Sequence, residues 1–379
     1  MDYVLKHIPE DFVVEEITPD SKVLKIGEEY SYSGKEGKFL HAVLEKRNID
    51  TMQAAQKIAR ALGVRPERIT YAGVKDKQAV SAQRVSFYRI EKEAAEKIDI
   101  PNIKISLTGR GDKIALGLLW GNRFTITLRN LAKSSELIRN EIESRAKKMN
   151  NYFPNYFGPQ RFGTTRPVSA LCGKLILQGN FKESVETYIC KTFDSEPKDI
   201  KKIRRTAKKD MNKALSLFPG KYAYERAMLA HLIAYPNDYI GALKRLPPGL
   251  QKMLIHAYQS HIFNEALKSM EKDSLFDPAL EIPLVGYSYT ARIFETPADK
   301  YIKRILKKEK IKPKDFNIKE FPEISSEGNS RKAFEKIHDF EIIKAEEDEL
   351  FKGKHKVVVR FSLPKGCYAT VLLHRLLDL

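Results

Sequence analysis

The sequence predicts an α+β fold built on a largely antiparallel sheet, with a helical segment inserted into it. Three observations carry this reading. Residues 1–130 read mainly as short strands joined by turns, with helices interspersed. From about residue 167 to about 270 the apolar spacing is helical. Strand texture then returns in "KHKVVVRFSLPKGCYATVLLHRLL", a strand, a turn and a short helix. A last strand that completes the first sheet makes the two ends one discontinuous domain, because insertions are tolerated where loop ends lie close together.

The elements follow in order. "DFVVEEI" is rich in β-formers, and "KFLHAVLEK" follows the loop "SGKEGK". In "TMQAAQKIARALGV", Met52, Ala55, Ile58, Ala59 and Leu62 fall at helical spacing, with Thr51 as the N-cap. "ERITY" and "RVSFYRI" read as strands on either side of the turn "AGVKDKQAVSAQ". "KISLTGRGDKIALG" reads as a hairpin with Gly109 and Gly111 in its turn, and "RFTITLRN" alternates with period two. "SSELIRNEIESRAKKM" is an amphipathic helix. In the insertion, "DIKKIRRTAKKDMNKAL" reads as one helix. Ile200, Ile203, Ala207, Met211 and Ala214 form its apolar stripe, while Lys201, Arg204, Arg205 and Lys208 form a basic face suited to RNA phosphates. "ERAMLAHLI" and "LQKMLIHAYQSHIFNEALKSM" are further helices.

Charge narrows the function. The 379 residues hold 67 Lys+Arg against 49 Asp+Glu, a formal net charge of +18. A chain this basic, with 42% hydrophobic residues to build a core, points to a polyanion partner, nucleic acid rather than membrane. The three cysteines are far apart and match no zinc spacing. The N-terminus has no signal-peptide core and no apolar run approaches a membrane span, so a soluble, cytoplasmic protein is expected. Neither GxGxxG after a strand nor GxxxxGK[ST] occurs, which argues against a dinucleotide or nucleotide cofactor. The acidic run Glu346–Glu349 reads as a solvated turn rather than a metal site.

The remaining loops juxtapose polar groups and aromatics. "LKHIPEDFVVEE" places Lys6 near Phe12; "AGVKDKQAVSAQ" offers Asp76 and Gln83, with Lys75 and Lys77 beside them; "NYFPNYFGPQRFG" gathers aromatics around Asn155; "SLPKGCYAT" puts Tyr368 in a turn. Taken singly, Asp76 reads as a solvated charge and the aromatics as a core plug. Together they suit a flat, uncharged ring: aromatic faces sandwich a base, an amide reads its edge and basic residues hold phosphates. A single carboxylate then acts at an exposed glycosidic carbon, where the transition state is oxocarbenium-like.

On these stretches, with "GNRFTITLRN" and "AYQSHIFN", the chain resembles the TruD-type tRNA pseudouridine synthases from residue 9 to about 370. The resemblance implies a pseudouridine synthase catalytic domain with a mixed, mostly antiparallel sheet, over residues 1–165 and 343–379. It also implies an inserted helix-rich α+β TRUD domain over 166–342. The implied reaction isomerises uridine to pseudouridine, typically at position 13 of tRNA; it fits a chain without cofactor or metal motifs, and a monomer is expected. By motif match Asp76 is the catalytic aspartate, Phe12 and Asn155 are uracil-site residues, and Phe157 stands where other pseudouridine synthases hold Tyr. Lys6 matches a basic residue of the site; Gln83 is expected to bind substrate and Lys75 and Lys77 to meet the RNA backbone, and Lys6, Lys75 and Lys77 are the candidate cations for keeping the carboxylate ionised. Ser81 stands where bacterial members often carry Thr, and Tyr368 where the family often has Phe; its hydroxyl needs a polar partner. The competing expectation is a non-catalytic basic RNA-binding protein, which leaves Asp76 without a role.

Overall fold

The computed structural model describes residues 3–34, 36–291 and 296–377. The chain divides into one unit of Met1–Phe153 with Glu335–Leu379 and another of Pro154–Phe334.

The first unit is built on a nine-stranded sheet. Its strands are β1 (Val4–Leu5), β2 (Phe12–Ile17), β3 (Phe39–Arg47), β4 (Ile69–Tyr71), β5 (Val80–Tyr88), β6 (Ile103–Gly111), β7 (Gly121–Leu131), β8 (His338–Glu347) and β9 (His355–Pro364). They run in the order β8-β9-β7-β2-β5-β3-β6, with β1 added against β7 and β4 against β5. The expected final strand is β9, whose Phe361 lies opposite Phe124 of β7. Within this sheet, among the described residues, only β2 and β5 are parallel, with Val13 opposite Val80. That pair forms the middle of the sheet, and the loop into β5 therefore opens beside the start of β2.

Alternation on the strands sets the core. Phe124, Ile126 and Leu128 of β7 and Val357, Val359, Phe361 and Leu363 of β9 point to one face. There they meet Ile138 and Ile142 of the helix Ser135–Lys148 and Leu372, Leu373 and Leu376 of the helix Ala369–Leu377. A second core joins Leu40, Ala42 and Leu44 of β3 and Val85 and Phe87 of β5 to Ala54, Ile58 and Ala59 of the helix Thr51–Ala61.

Three local readings are corrected. The expected hairpin at 104–117 is one continuous strand through both glycines, β6. Gly109 is needed there for another reason. Its φ is +147°, beside a bulge against His41 and Ala42, and a Cβ would come within 2.3 Å of the Ser33 hydroxyl. The cap of the helix Thr51–Ala61 is Asp50, which accepts from Gln53 N at 2.9 Å, while Met52 is exposed rather than core. The expected single helix at 199–215 is two, Lys198–Ala207 and Met211–Leu217; Asp210 caps the second by accepting from Lys213 N.

The second unit centres on the 25-residue helix Pro248–Lys272, which buries Leu254, Tyr258, Ile262, Phe263 and Ala266. Gly173 of the helix Ser169–Leu177 lets that pair approach closely: a Cβ there would lie 2.1 Å from the carbonyl of Leu254. A two-stranded ribbon pairs Glu281–Leu284 with Asn329–Lys332 and gives the helical unit its β component. Among the described residues no helix is long and apolar enough to cross a membrane.

Candidate active site

The turn 72–79 joins β4 to β5 and is held almost residue by residue. The Ala72 carbonyl accepts from Gly117 N at 2.7 Å. The Gly73 carbonyl accepts from Gln83 Nε2 at 2.8 Å, and Gln83 Oε1 in turn accepts from the Thr51 hydroxyl at 2.8 Å. The same hydroxyl accepts from Lys75 N at 2.9 Å. Because Asp50 caps the helix, Thr51 is released to brace this turn. The Asp76 carbonyl accepts from Lys46 Nζ at 2.9 Å, and the same ammonium donates to the Ile49 carbonyl at 2.7 Å. The Ala79 carbonyl accepts from Asn48 N at 3.1 Å. A loop satisfied on this scale has few conformations left, which fixes where the Asp76 side chain can point.

That side chain lies against Lys6. Lys6 Nζ donates to Asp76 Oδ2 at 2.5 Å and stands 4.0 Å from the centre of the Phe12 ring. The Asp76 side chain is 35% exposed and that of Lys6 19% exposed, so the pair is reachable from solvent. Lys6 has a left-handed backbone, φ +58°, which costs a non-glycine residue roughly 1–2 kcal/mol. Neighbouring bonds hold it there. Gln78 Nε2 donates to the Lys6 carbonyl at 2.5 Å, and Leu5 pairs with Leu128 in the sheet. Asp11 closes the turn by accepting from Ile8 N at 3.0 Å, and it is itself fixed by Arg129 Nε at 2.8 Å. Arg129 Nη1 also donates to Asp348 Oδ1 at 2.9 Å. In the run 346–349, Glu346, Glu347 and Glu349 are exposed, Glu346 and Glu349 paired with Lys356, whereas Asp348 is buried on Arg129.

Two sequence assignments change. Lys75 is not a surface cation: its ammonium is buried, donating to Asn122 Oδ1 at 2.6 Å and pairing with Glu16 Oε2 at 3.2 Å. Gln83 does not face a substrate, being fully buried with its amide spent on Thr51 and Gly73. Glu16, Lys46 and Arg129, which the sequence did not single out, are the buried charges that shape the site. Burial pushes the Lys46 ammonium down to about 8, opposed by Asp76 and Asp50. Burial also lowers Lys75, against the opposing pull of Glu16. Lys77 is exposed, and Tyr368 is half-buried, its carbonyl accepting from Val371 N ahead of the helix Ala369–Leu377.

In the second unit, Asn155 and Phe157 are neighbours. Asn155 Nδ2 donates to the Lys332 carbonyl at 3.1 Å, and its Oδ1 accepts from Arg331. Arg331 lies over the Phe157 ring, 4.2 Å from its centre, and Phe263 meets that ring edge-on at 5.4 Å. Phe157 is pinned through its backbone: its N–H donates to Asn264 Oδ1 at 2.9 Å, and Asn264 Nδ2 donates to its carbonyl at 3.0 Å. On the helix Lys198–Ala207, Arg205 and the following Lys208 are exposed, and Lys201 donates to the Asp194 carbonyl. Arg204 is corrected. It is fully buried, with Nε 2.7 Å from Glu196 Oε1 and Nη2 2.9 Å from Glu225 Oε1, so its guanidinium is spent inside the unit rather than on the basic face.

The family model for tRNA pseudouridine synthase D (TruD) matches residues 1–278 and 270–376. A Methanosarcina barkeri protein named "Probable tRNA pseudouridine synthase D" is 35% identical over 415 residues, covering 97% of this chain and 92% of that one. A Methanocaldococcus jannaschii protein named "Probable tRNA pseudouridine synthase D 1" is 34% identical over 390 residues, covering 99% and 95%. The crystal structure of a Methanosarcina mazei protein titled "Putative tRNA pseudouridine synthase D (TruD)" matches with a TM-score of 0.79 at 33% identity. It covers 99% of this chain and 93% of that chain.

Proposed function

The chain belongs to the tRNA pseudouridine synthase D (TruD) family, and from that premise we propose that Asp76 is the group that acts on the ribose of a flipped-out uridine, uridine 13 of tRNA. The protein is a tRNA pseudouridine synthase, an isomerase. The observation that supports Asp76 most is the 2.5 Å ion pair with Lys6 on a turn braced from both sides.

The reaction breaks C1′–N1, turns the base and joins C1′ to C5; the C5 hydrogen leaves as a proton and N1 gains one. No electron is exchanged and no phosphate bond is spent, so a carboxylate and ordered polar groups are sufficient. Attack at C1′ and removal of the C2′ proton both require the carboxylate form of Asp76. Lys6 pairs with that form and lies over the buried ring of Phe12, which this proposal assigns to the uracil site. Asn155, Phe157 and Tyr368 are the further uracil-site residues of this proposal. Lys77, Lys201, Arg205 and Lys208 are the phosphate contacts. Extruding the base costs a few kcal/mol, and aromatic stacking of about 1–3 kcal/mol per contact offsets much of it. The proposal extends to a monomer acting in the cytoplasm.

The test is tritium release from tRNA transcripts labelled at uridine C5. The wild-type protein releases tritium in the presence of EDTA, and a transcript with cytidine at position 13 abolishes the release. Asp76→Asn binds tRNA and releases none. Turnover near normal in Asp76→Asn removes Asp76 from the mechanism; release from the position-13 variant moves the target elsewhere.

A further inference from the structure

A cavity of about 440 Å³ opens on the face of the sheet opposite the helices Ser135–Lys148 and Ala369–Leu377. That volume is within the roughly 300–1,000 Å³ of small-molecule sites. Strand alternation builds it. Phe124 and Phe361 point into the core, so their neighbours Arg123 of β7 and Arg360 and Ser362 of β9 point the other way, into the cavity.

Three features mark it as built for a ligand. The Ser362 hydroxyl is buried yet has no hydrogen-bond partner among the described residues, an arrangement that costs free energy unless something else supplies the bond. A register shift between His338 and Glu341 breaks the β8–β9 ladder at the rim, and Asp339 within it has φ +51°. Bulges of this kind re-aim side chains and concentrate at functional sites. Finally, Trp120 lines the cavity, its indole set edge-on to His338 at 5.1 Å, so a flat aromatic surface stands next to the polar groups.

The polar groups narrow the ligand. Two guanidiniums, Arg123 and Arg360, face two carboxylates, Asp339 and Glu341. Arg123 is fixed by Glu15, its Nη2 2.6 Å from Oε2, and Arg360 Nη1 stands 3.6 Å from Glu341 Oε2. The lining is balanced in charge, which disfavours a bare phosphate. It suits a flat, neutral group that offers paired donors to a carboxylate and paired acceptors to a guanidinium. Among the nucleobases guanine alone does both: N1–H and N2–H₂ lie side by side on one edge, and O6 and N7 on the other. We propose that this cavity binds a guanine base stacked on Trp120, with a carboxylate of Asp339 or Glu341 on its donor edge and Arg360 on O6 and N7. Ser362 supplies the remaining hydrogen bond.

Trp120 is the one tryptophan of the chain, so its fluorescence reports directly on the cavity. Full-length protein is titrated with GMP, AMP, CMP and UMP, and the same titrations are repeated by calorimetry. GMP gives a saturable fluorescence change and a matching heat, with affinity at least tenfold above the other three. Glu341→Gln or Asp339→Asn, whichever carries the donor-edge contact, weakens GMP binding at least fivefold with an unchanged melting temperature, and Ser362→Ala weakens it too. A tetraribonucleotide with one guanosine among uridines separates the sources. Binding at least tenfold tighter than GMP assigns the site to RNA, and equal binding assigns it to a free guanine nucleotide. Equal affinity for all four nucleotides, no binding by either method, or wild-type binding by both Glu341→Gln and Asp339→Asn overturns the proposal.

Discussion

The ammonium of Lys6 lies 2.5 Å from Oδ2 of Asp76 and, at the same time, 4.0 Å from the centre of the Phe12 ring. One cation thus ties the proposed catalytic carboxylate to a proposed uracil-site aromatic. Lys6→Met keeps most of the stem over Phe12 and removes only the charge. We expect kcat to fall by about 10²-fold or more, the scale for removing one preorganised electrostatic contact. Affinity for tRNA changes little, since phosphates supply most of it. Lys6→Arg recovers part of the rate, because the planar fork does not reproduce a compact ammonium at 2.5 Å. Single-turnover rates at saturating tRNA decide the matter, and an unchanged rate in Lys6→Met removes the cation from the mechanism.

Lys46 carries the pH prediction. Its ammonium braces Asp76 and Ile49 through their carbonyls, and burial lowers it from 10.5 to about 8. A lysine depressed in the folded state holds fewer protons there than in the unfolded chain between those two values. Unfolding then takes up protons, so stability rises with pH across the window from about 8 to about 10.5. Below about 8 the charged, buried ammonium carries a penalty on the order of 3 kcal/mol, and the rise recovers it. Urea unfolding at pH 7.5 and pH 10 reads it out: wild type gains stability relative to Lys46→Met between the two. The same pH slope in both proteins assigns the gain to other groups.

The helix Lys198–Ala207 separates charge that binds from charge that holds. Arg204 is enclosed with Glu196, Glu225 and Arg166. Removing one member of a buried pair leaves an uncompensated charge and costs about 3–5 kcal/mol. Arg166 contacts the same two carboxylates, so Arg204→Ala falls near the lower figure. Arg205→Ala and Lys208→Ala are exposed changes worth about 0.5 kcal/mol or less in stability. Each instead lowers the salt slope of tRNA binding by about one, if each meets a phosphate. Thermal melts and binding at two salt concentrations check both halves, and a salt slope that Arg205→Ala leaves untouched makes that residue a solvated charge.

These results show where residue type is informative and where it is not. Lys6, Phe12 and Asp76 are ordinary taken singly and were singled out only in combination and by the family motifs; the structure brings them together within one unit. Arg204 was misread because its partners sit 8 and 21 residues away, and a basic helical face looks the same whether carboxylates or solvent lie opposite. Gln83 lies on a strand where polar residues usually face out, yet its amide closes a gap between Thr51 and Gly73. The Arg129–Asp348 pair spans 219 residues, and no local signal could reveal it. Gly109 and Gly111 mark a turn by composition, but the close approach of Ser33 requires the first of them inside a strand.

Phe157 is the residue on which core and stacking readings part most clearly. Its ring is buried, meets Phe263 edge-on at 5.4 Å and carries Arg331 on one face at 4.2 Å from its centre. A residue that only fills a core loses about 3–5 kcal/mol on truncation to Ala, with normal chemistry wherever the protein stays folded. A residue that stacks on the uracil loses rate first. The backbone of Phe157 is pinned on both sides by Asn264, so Phe157→Ala keeps the loop path and removes the ring alone. We expect the chemical step to slow by at least 10²-fold, and tRNA affinity to hold within a few-fold because the phosphate contacts remain. Phe157→Tyr keeps the face and recovers most of the rate. Single-turnover tritium release is compared at a temperature where melts show each variant folded. If Phe157→Ala melts far below wild type yet turns over normally at that temperature, the ring is core and the stacking role is withdrawn.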